Sequence, residues 1–345
     1  MSRYHIEITT RVFHFKEPAG TSRGVYHTRT SRFVRLTCDD MPGIAGVGEC
    51  APLPRLSCDD VPDYDAVLRR HCDDVCARGS IDVDALRDWP SMLFGLETAW
   101  RQLHASGSTA LSATPFARGQ EGIPINGLVW MGDFDTMAAR LEQKLAQGFS
   151  CVKIKIGAID FADEIALIAR LRDRYGSDLI ELRVDANGAF SPTEALDRLQ
   201  QLSHYGIHSI EQPIMAGQWQ EMARLCASSP LPIALDEELI GVNTLERKRA
   251  LLDTIAPRYI ILKPSLHGGM AGCREWIDLA RERGIGSWIT SALESNVGLN
   301  AIAHLAAEVY GPAITMPQGL GTGQLFTDNI DMPITIRGEK LWYLP

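Results

Sequence analysis

From about residue 124 the chain repeats a pattern that few folds can satisfy. Short strand-like runs occur as "IPINGLVWM", "CVKIKIG", "LIELRVDAN", "HSIEQP", "LPIALDEE", "RYIILKPS", "GSWITSALES" and "PAITMP", with centres about 25 to 30 residues apart. The intervals carry helical periodicity, as in "DEIALIARLRDRYG", "PTEALDRLQQLSHYG" and "CREWIDLARERG", each ending on the Gly that often follows a helix. Strand–helix units at this spacing predict parallel strands joined by helical crossovers. Eight of them predict a (β/α)8-type barrel rather than an open sheet. The first 120 or so residues differ. "YHIEITTRVFHF" and "RFVRLTCDDMPGIAGVGEC" read as antiparallel strands, and "PDYDAVLRRHCDDVCARG" and "PSMLFGLETAWRQLHASG" as helices behind them. We therefore expect an α+β capping domain over residues 1–122, a barrel over 123–320, and a strand-like tail over 321–345 that returns to the cap.

Composition narrows the function classes. A net charge of −9 over 345 residues, with Lys and Arg scattered, argues against a nucleic-acid partner. No apolar run reaches the roughly 18 residues that cross a bilayer, and the N-terminus lacks the apolar stretch of a signal peptide, so no membrane partner is expected. Eight irregularly spaced cysteines in such a chain read as reduced thiols in the cytoplasm. His71, Cys72 and Cys76 in "HCDDVC" have no second ligand pair nearby and read as a packed helix face. The oligomeric state stays open, a homo-oligomer included.

In barrels of this kind the chemistry sits at the C-terminal ends of the strands. Those ends carry Lys153 and Lys155, Asp185 and Asn187, Glu211, Asp236 and Glu237, then Lys263 and Ser265. Asp185, Glu211 and Asp236 come from three consecutive strands, 26 and 25 residues apart. Each alone could cap a helix or sit in a loop. Together at one mouth they would repel one another and need a cation, and hard oxygen donors without His or Cys favour Mg²⁺. Lys153 and Lys155 share a strand face. Alone they would suit a solvent-facing strand, but Lys263 stands four strands away, across the barrel. A neighbouring ammonium and a divalent cation would lower a lysine's pKa toward the range of a working base. These parts suit removal of a proton α to a carboxylate, where developing negative charge must be stabilised as it forms.

The motifs "KIKIG", "DANGAF", "IEQP", "LDEE" and "LKPS" resemble the muconate-lactonizing-type branch of the enolase superfamily, over nearly the whole chain. The resemblance implies a modified (β/α)8 barrel with an α+β cap. It also implies Lys155 as general base, Lys153 beside the substrate carboxylate, Lys263 on the opposite face, and Asp185, Glu211 and Asp236 as Mg²⁺ ligands. Within the branch, "FKEPAGTSRG", "GVGECAPLPRLS", "SALESNVGLNAIAHLAAE" and "QGLGTGQLF" resemble the o-succinylbenzoate synthase family of menaquinone biosynthesis. That likeness implies a small-molecule carboxylate substrate, with syn-elimination of water from 2-succinyl-6-hydroxy-2,4-cyclohexadiene-1-carboxylate. Thr21, Ser22 and Arg23 fall in a segment resembling that family's mobile loop, with Gly20 and Gly24 as hinge flanks. Asn187, Ser265 and Ser291 are further candidates for substrate contact. Two other readings stay open: a dipeptide epimerase or N-acylamino acid racemase, with Lys155 and Lys263 as an acid/base pair, and a non-catalytic binding protein on the same fold.

Overall fold

The computed structural model describes residues 3–21, 24–130, 134–312 and 314–345. The N-terminal region forms an antiparallel sheet of β1 (Tyr4–Thr21), β2 (Gly24–Cys38) and β3 (Ala45–Cys50) in that order. The β1–β2 pairing runs from Tyr4 opposite Cys38 to Thr21 opposite Gly24, with one register shift between His14 and Ala19. Helices α1 (Tyr64–Arg78) and α2 (Pro90–His104) cover one face. Helix α2 lies almost on β3, and "GVGEC" explains how. A Cβ on Gly46 would stand 1.8 Å from the Ala99 carbonyl oxygen, and one on Gly48 1.8 Å from that of Gly95. Only glycine allows this approach. Cys72 packs in the core beneath α1 with Leu68, Val75 and Met92, so the "HCDDVC" segment presents a packed helix face.

The strand–helix repeat follows. It comprises β4 (Ile123–Pro124), β5 (Gly127–Val129), α3 (Phe134–Ala146), β6 (Cys151–Lys155), α4 (Phe161–Arg174), β7 (Glu181–Asp185) and α5 (Pro192–Ser203). It continues with β8 (Ser209–Glu211), α6 (Trp219–Ser228), β9 (Ile233–Leu235), α7 (Leu245–Ile255), β10 (Tyr259–Leu262), α8 (Gly269–Glu282), β11 (Gly286–Ile289) and α9 (Asn296–Tyr310). Local signals set several helix starts. The Asp160 carboxylate accepts from the Ala162 N–H at 2.8 Å, and the Glu194 carboxylate from the Ser191 N–H at 3.1 Å, as capping residues do. Strands β5 to β11 form one parallel sheet in strict sequence order, and helices and interior side chains bury it on both faces.

Two details depart from the expected eight strands. "IPINGLVWM" splits: β4 leaves the parallel sheet, and only β5 joins it. "PAITMP" contributes no strand among the described residues. Pro312 and Pro317 bracket it and have no N–H to give a ladder. The eighth place is taken instead by Gln318 and Gly319, which make isolated parallel bridges to Ile125 and Thr290 on either side of the gap. The Gln318 N–H donates to Pro124 O at 2.8 Å and the Gly319 N–H to Ile289 O at 2.9 Å. The buried Gln318 side chain accepts from the Ile289 N–H at 2.7 Å. What is observed is thus a curled seven-strand parallel sheet, bridged at one point, with a separate antiparallel cap.

The tail goes to two places. Residues 325–328 run along β1, with Phe326 bridged to Phe15 and the Lys16 N–H donating to Leu325 O at 2.8 Å. Strands β12 (Ile334–Arg337) and β13 (Lys340–Tyr343) then form a hairpin whose β13 pairs with β4 in a small third sheet. Among the described residues no helix is long and apolar enough to cross a membrane.

Candidate active site

The parallel register aligns the polar strand ends. Lys155 sits opposite Asp185, and Asp185 opposite Glu211. Asp236 follows β9 directly and Lys263 follows β10. The buried Gln212 fixes β8 to β9: its side-chain oxygen accepts from the N–H groups of Asp236 and Glu238, both at 3.2 Å, and its amide donates to Glu238 at 3.1 Å and to Ile214 O at 2.9 Å. Those bonds hold Gln212 at φ 39°, in the left-handed region where a non-glycine residue is strained. "IEQP" therefore orients its Glu by locking the next residue.

The three lysines and three carboxylates expected from the sequence come together. Lys155 Nζ donates to Asp185 Oδ2 at 3.0 Å and to Asn187 Oδ1 at 2.6 Å. Lys153 Nζ lies 3.1 Å from Asp185 Oδ2 and 2.8 Å from Glu211 Oε2. From across the sheet Lys263 Nζ reaches Asp236 Oδ2. Asn187 in turn donates to Glu237 Oε1 at 3.0 Å. It holds φ 45°, a conformation Asn tolerates better than most residues. Lys155 also stands 5.9 Å from the centre of the Trp130 ring.

Burial pushes Asp185 up, but Lys153 and Lys155 outweigh it and hold the group well below the usual carboxylate range. Glu211 is pushed up to about 8 by burial and then by the Asp185 charge. Burial also raises Asp236 and Glu237. Lys153 and Lys263 are raised rather than lowered. Burial favours neutral amines at Lys153 and Lys263, yet both stand above the ordinary value, because Asp185 and Glu211 hold Lys153 charged, and Asp236 and Glu211 hold Lys263 charged. The carboxylates outweigh the neighbouring ammonium groups.

Among the described residues no three acidic, Cys or His side chains converge as they stand on one point suited to an ion, since lysine Nζ atoms lie between the carboxylates. The donor set nevertheless fits a hard divalent cation. Glu211 Oε1, Asp236 Oδ1 and Glu237 Oε2 are buried oxygens without a hydrogen-bond partner. Buried carboxylate oxygens left in that state are costly unless a cation meets them.

These groups open on a cavity of about 590 Å³. Residues 16–19 of β1 and Leu53 and Leu56 of the cap line one part of it, and Ser291, Ala292 and Leu293 after β11 another. Asn187 lines the cavity and bridges Lys155 to Glu237. Ser291 also lines it, with its hydroxyl 2.5 Å from that of Thr322. Ser265 is fully buried and gives its hydroxyl to Glu294. Thr21 ends β1, while Ser22 and Arg23 lie outside the described residues. Trp130 and Arg140 were not singled out from the sequence, and Glu237 was named at a strand end without a role. The doubled acid of "LDEE" was the one signal for Glu237. Arg140 sits on α3, and only the fold brings it to the cavity, where it pairs with Glu17 of the cap at 2.9 Å.

Residues 136–334 match the enolase C-terminal domain-like family, and the chain belongs to it. Over 95% of both chains it is 48% identical to an o-succinylbenzoate synthase of Desulfotalea psychrophila. The crystal structure of MenC from that organism superposes with a TM-score of 0.84 over 99% of each chain, at 42% identity across the superposed residues. An L-Ala-D/L-Glu epimerase of Bacillus subtilis is 26% identical, over 89% of this chain and 85% of its own.

Proposed function

We propose that the chain is an Mg²⁺-dependent o-succinylbenzoate synthase, dehydrating 2-succinyl-6-hydroxy-2,4-cyclohexadiene-1-carboxylate on the route to menaquinone. On this reading the bridged seven-strand sheet is a modified (β/α)8 barrel, and Asp185, Glu211 and Asp236 hold the metal. The observation that carries the chemistry is the placement of amines around the carboxylates. Lys153 and Lys155 lie on one side and Lys263 on the other, each within reach of an acid from a neighbouring strand end. The likeness to a synthase along nearly the whole chain favours dehydration over epimerisation.

A bound Mg²⁺ would supply positive charge opposite the substrate carboxylate as the α-proton leaves. Lys155 Nζ, as the free amine, takes that proton. The α C–H bond breaks, and the electron pair moves into the ring as the C–O bond to the hydroxyl breaks. The Lys155 ammonium then returns its proton to the departing hydroxide on the same face, so water leaves and the ring becomes aromatic. Asn187 holds the Lys155 nitrogen in position. Lys153 and Lys263 remain charged, one beside the substrate carboxylate and the other across the ring, which fits the carboxylates that hold both protonated.

Lys263 also faces Lys155 as the second base of an epimerase would, so the two activities are tested side by side. Purified protein with Mg²⁺ is given the cyclohexadiene acid, and separately L-Ala-L-Glu in D₂O with α-deuterium uptake followed by NMR. Turnover of the first far above exchange of the second is the expected outcome. Fast exchange of the dipeptide without aromatisation of the cyclohexadiene acid would replace the reading by epimerisation.

A further inference from the structure

The cap residue Arg29, on β2, is 2% exposed. It donates to carbonyl oxygens from two separate loops. Nη2 donates to Ala51 O at 2.6 Å and to Ala292 O at 3.3 Å, Nε to Leu293 O at 3.3 Å, and Nη1 to Pro52 O. Ala51 and Pro52 open the cap loop whose Leu53 and Leu56 line the cavity, and Ala292 and Leu293 line it from the loop after β11. One nitrogen thus serves both walls. The two walls also touch, since Leu53 packs with Ala292 and Leu293 in one apolar cluster.

Two observations mark the second loop as held rather than relaxed. Leu293 has φ 64°, where a branched residue is strained unless its surroundings fix it. A second cap residue grips the far end of that loop. The fully buried Glu49 on β3 accepts from the Ser295 N–H at 3.0 Å, the Ser295 hydroxyl at 2.6 Å and the Gly298 N–H at 3.0 Å, at the start of α9. The cap therefore takes the loop's carbonyls with a cation and its amides with an anion. The planar guanidinium, with five fixed N–H vectors, suits carbonyls arriving from two directions, whereas a lysine ammonium on a flexible stem does not.

We propose that Arg29 is a positioning residue for substrate specificity. It sets the spacing between the cap wall (Leu53, Leu56) and the barrel wall (Ala292, Leu293), against which the non-reacting part of the substrate lies, while the reacting centre rests on Lys155. The loop geometry stands on its own; the link to substrate rests on the function proposed above. Loosening the walls raises KM with little change in kcat, because the lost contacts are the same in ground and transition states.

The test uses Arg29→Lys, which keeps the charge and loses the fork, with Arg29→Gln as a second variant. Hydrogen–deuterium exchange in residues 51–57 and 291–298 is expected to quicken in both loops together. KM for the cyclohexadiene acid is expected to rise about tenfold, with kcat within about threefold. Unchanged exchange in both loops would overturn the clamp. Faster exchange with KM unchanged and kcat reduced would overturn the specificity role, since that is the mark of a smaller folded fraction. If the wild-type protein does not turn over this acid, the function proposed above fails on its own, and the exchange measurement still decides the clamp.

Discussion

Lys155 is held by a chain of contacts, and each link has its own consequence. Its nitrogen touches Asp185 and Asn187, and Asn187 touches Glu237. Replacing Lys155 or Lys263 with Ala should abolish product formation while Mg²⁺ binding, followed by calorimetry, persists. Near wild-type turnover in either variant would remove that lysine from the mechanism. Asn187→Gly is a finer probe, because glycine accepts the φ 45° backbone while the acceptor for Lys155 and the donor to Glu237 are both removed. A fall of about 10- to 100-fold in kcat is expected, with circular dichroism unchanged. At this scale the lysine pair and the three acids were legible because each closes a recognisable strand end. Glu237 was named there but given no role, since an acid beside an acid also reads as a helix start. Trp130 and Arg140 follow strand β5 and lie on α3, and nothing local in the sequence marks them as facing the site.

Element geometry explains what sequence patterning recovered and what it missed. Alternation and helix ends were enough to locate seven parallel strands. An eighth was expected where an apolar run stood at the right interval, but two prolines deny that run a ladder, and the side chain and backbone of Gln318 fill the gap instead. The cap shows how little local sequence separates a strand from a strand that must touch a helix. Gly48→Ala would drive a methyl into the Gly95 carbonyl, which cannot move as a side chain could. A loss of about 3 kcal/mol or more is expected in chemical denaturation. Helix α9 offers a pH test. His304 lies between Phe116 and Tyr343, and burial pushes it down to about 4, with Arg101 acting in the same direction. The unfolded chain binds a proton near pH 6.5, before the folded one does. The stability tied to neutral His304 is therefore present above about 6.5 and lost as pH falls toward 4. Between pH 7 and pH 4 the wild type should lose on the order of 3 kcal/mol relative to His304→Gln in urea titrations. Parallel curves would show that the imidazole is not buried as described.

The whole molecule brings these parts together through chain ends that sequence periodicity could only outline. Residues 325–328 lie along β1 while β13 pairs with β4, so one tail contacts the cap and the strand that precedes the parallel sheet. The strand character of the tail was legible, but not its division between β1 and β4, because pairing partners depend on where the parallel sheet leaves an edge. Cation binding should register in the stability of the whole chain. At about a hundredfold excess over Kd, Mg²⁺ is expected to add about 2.7 kcal/mol, and Glu211→Gln should remove most of that gain. The deciding experiment is steady-state turnover of the cyclohexadiene acid by wild type and Lys155→Ala, each with Mg²⁺ and with EDTA, followed by the absorbance change on aromatisation. Rapid turnover in wild type with Mg²⁺ alone, and in none of the other three conditions, is the expected result. Equal turnover by Lys155→Ala, or turnover by wild type that survives EDTA, would refute a lysine base working beside a metal at this site.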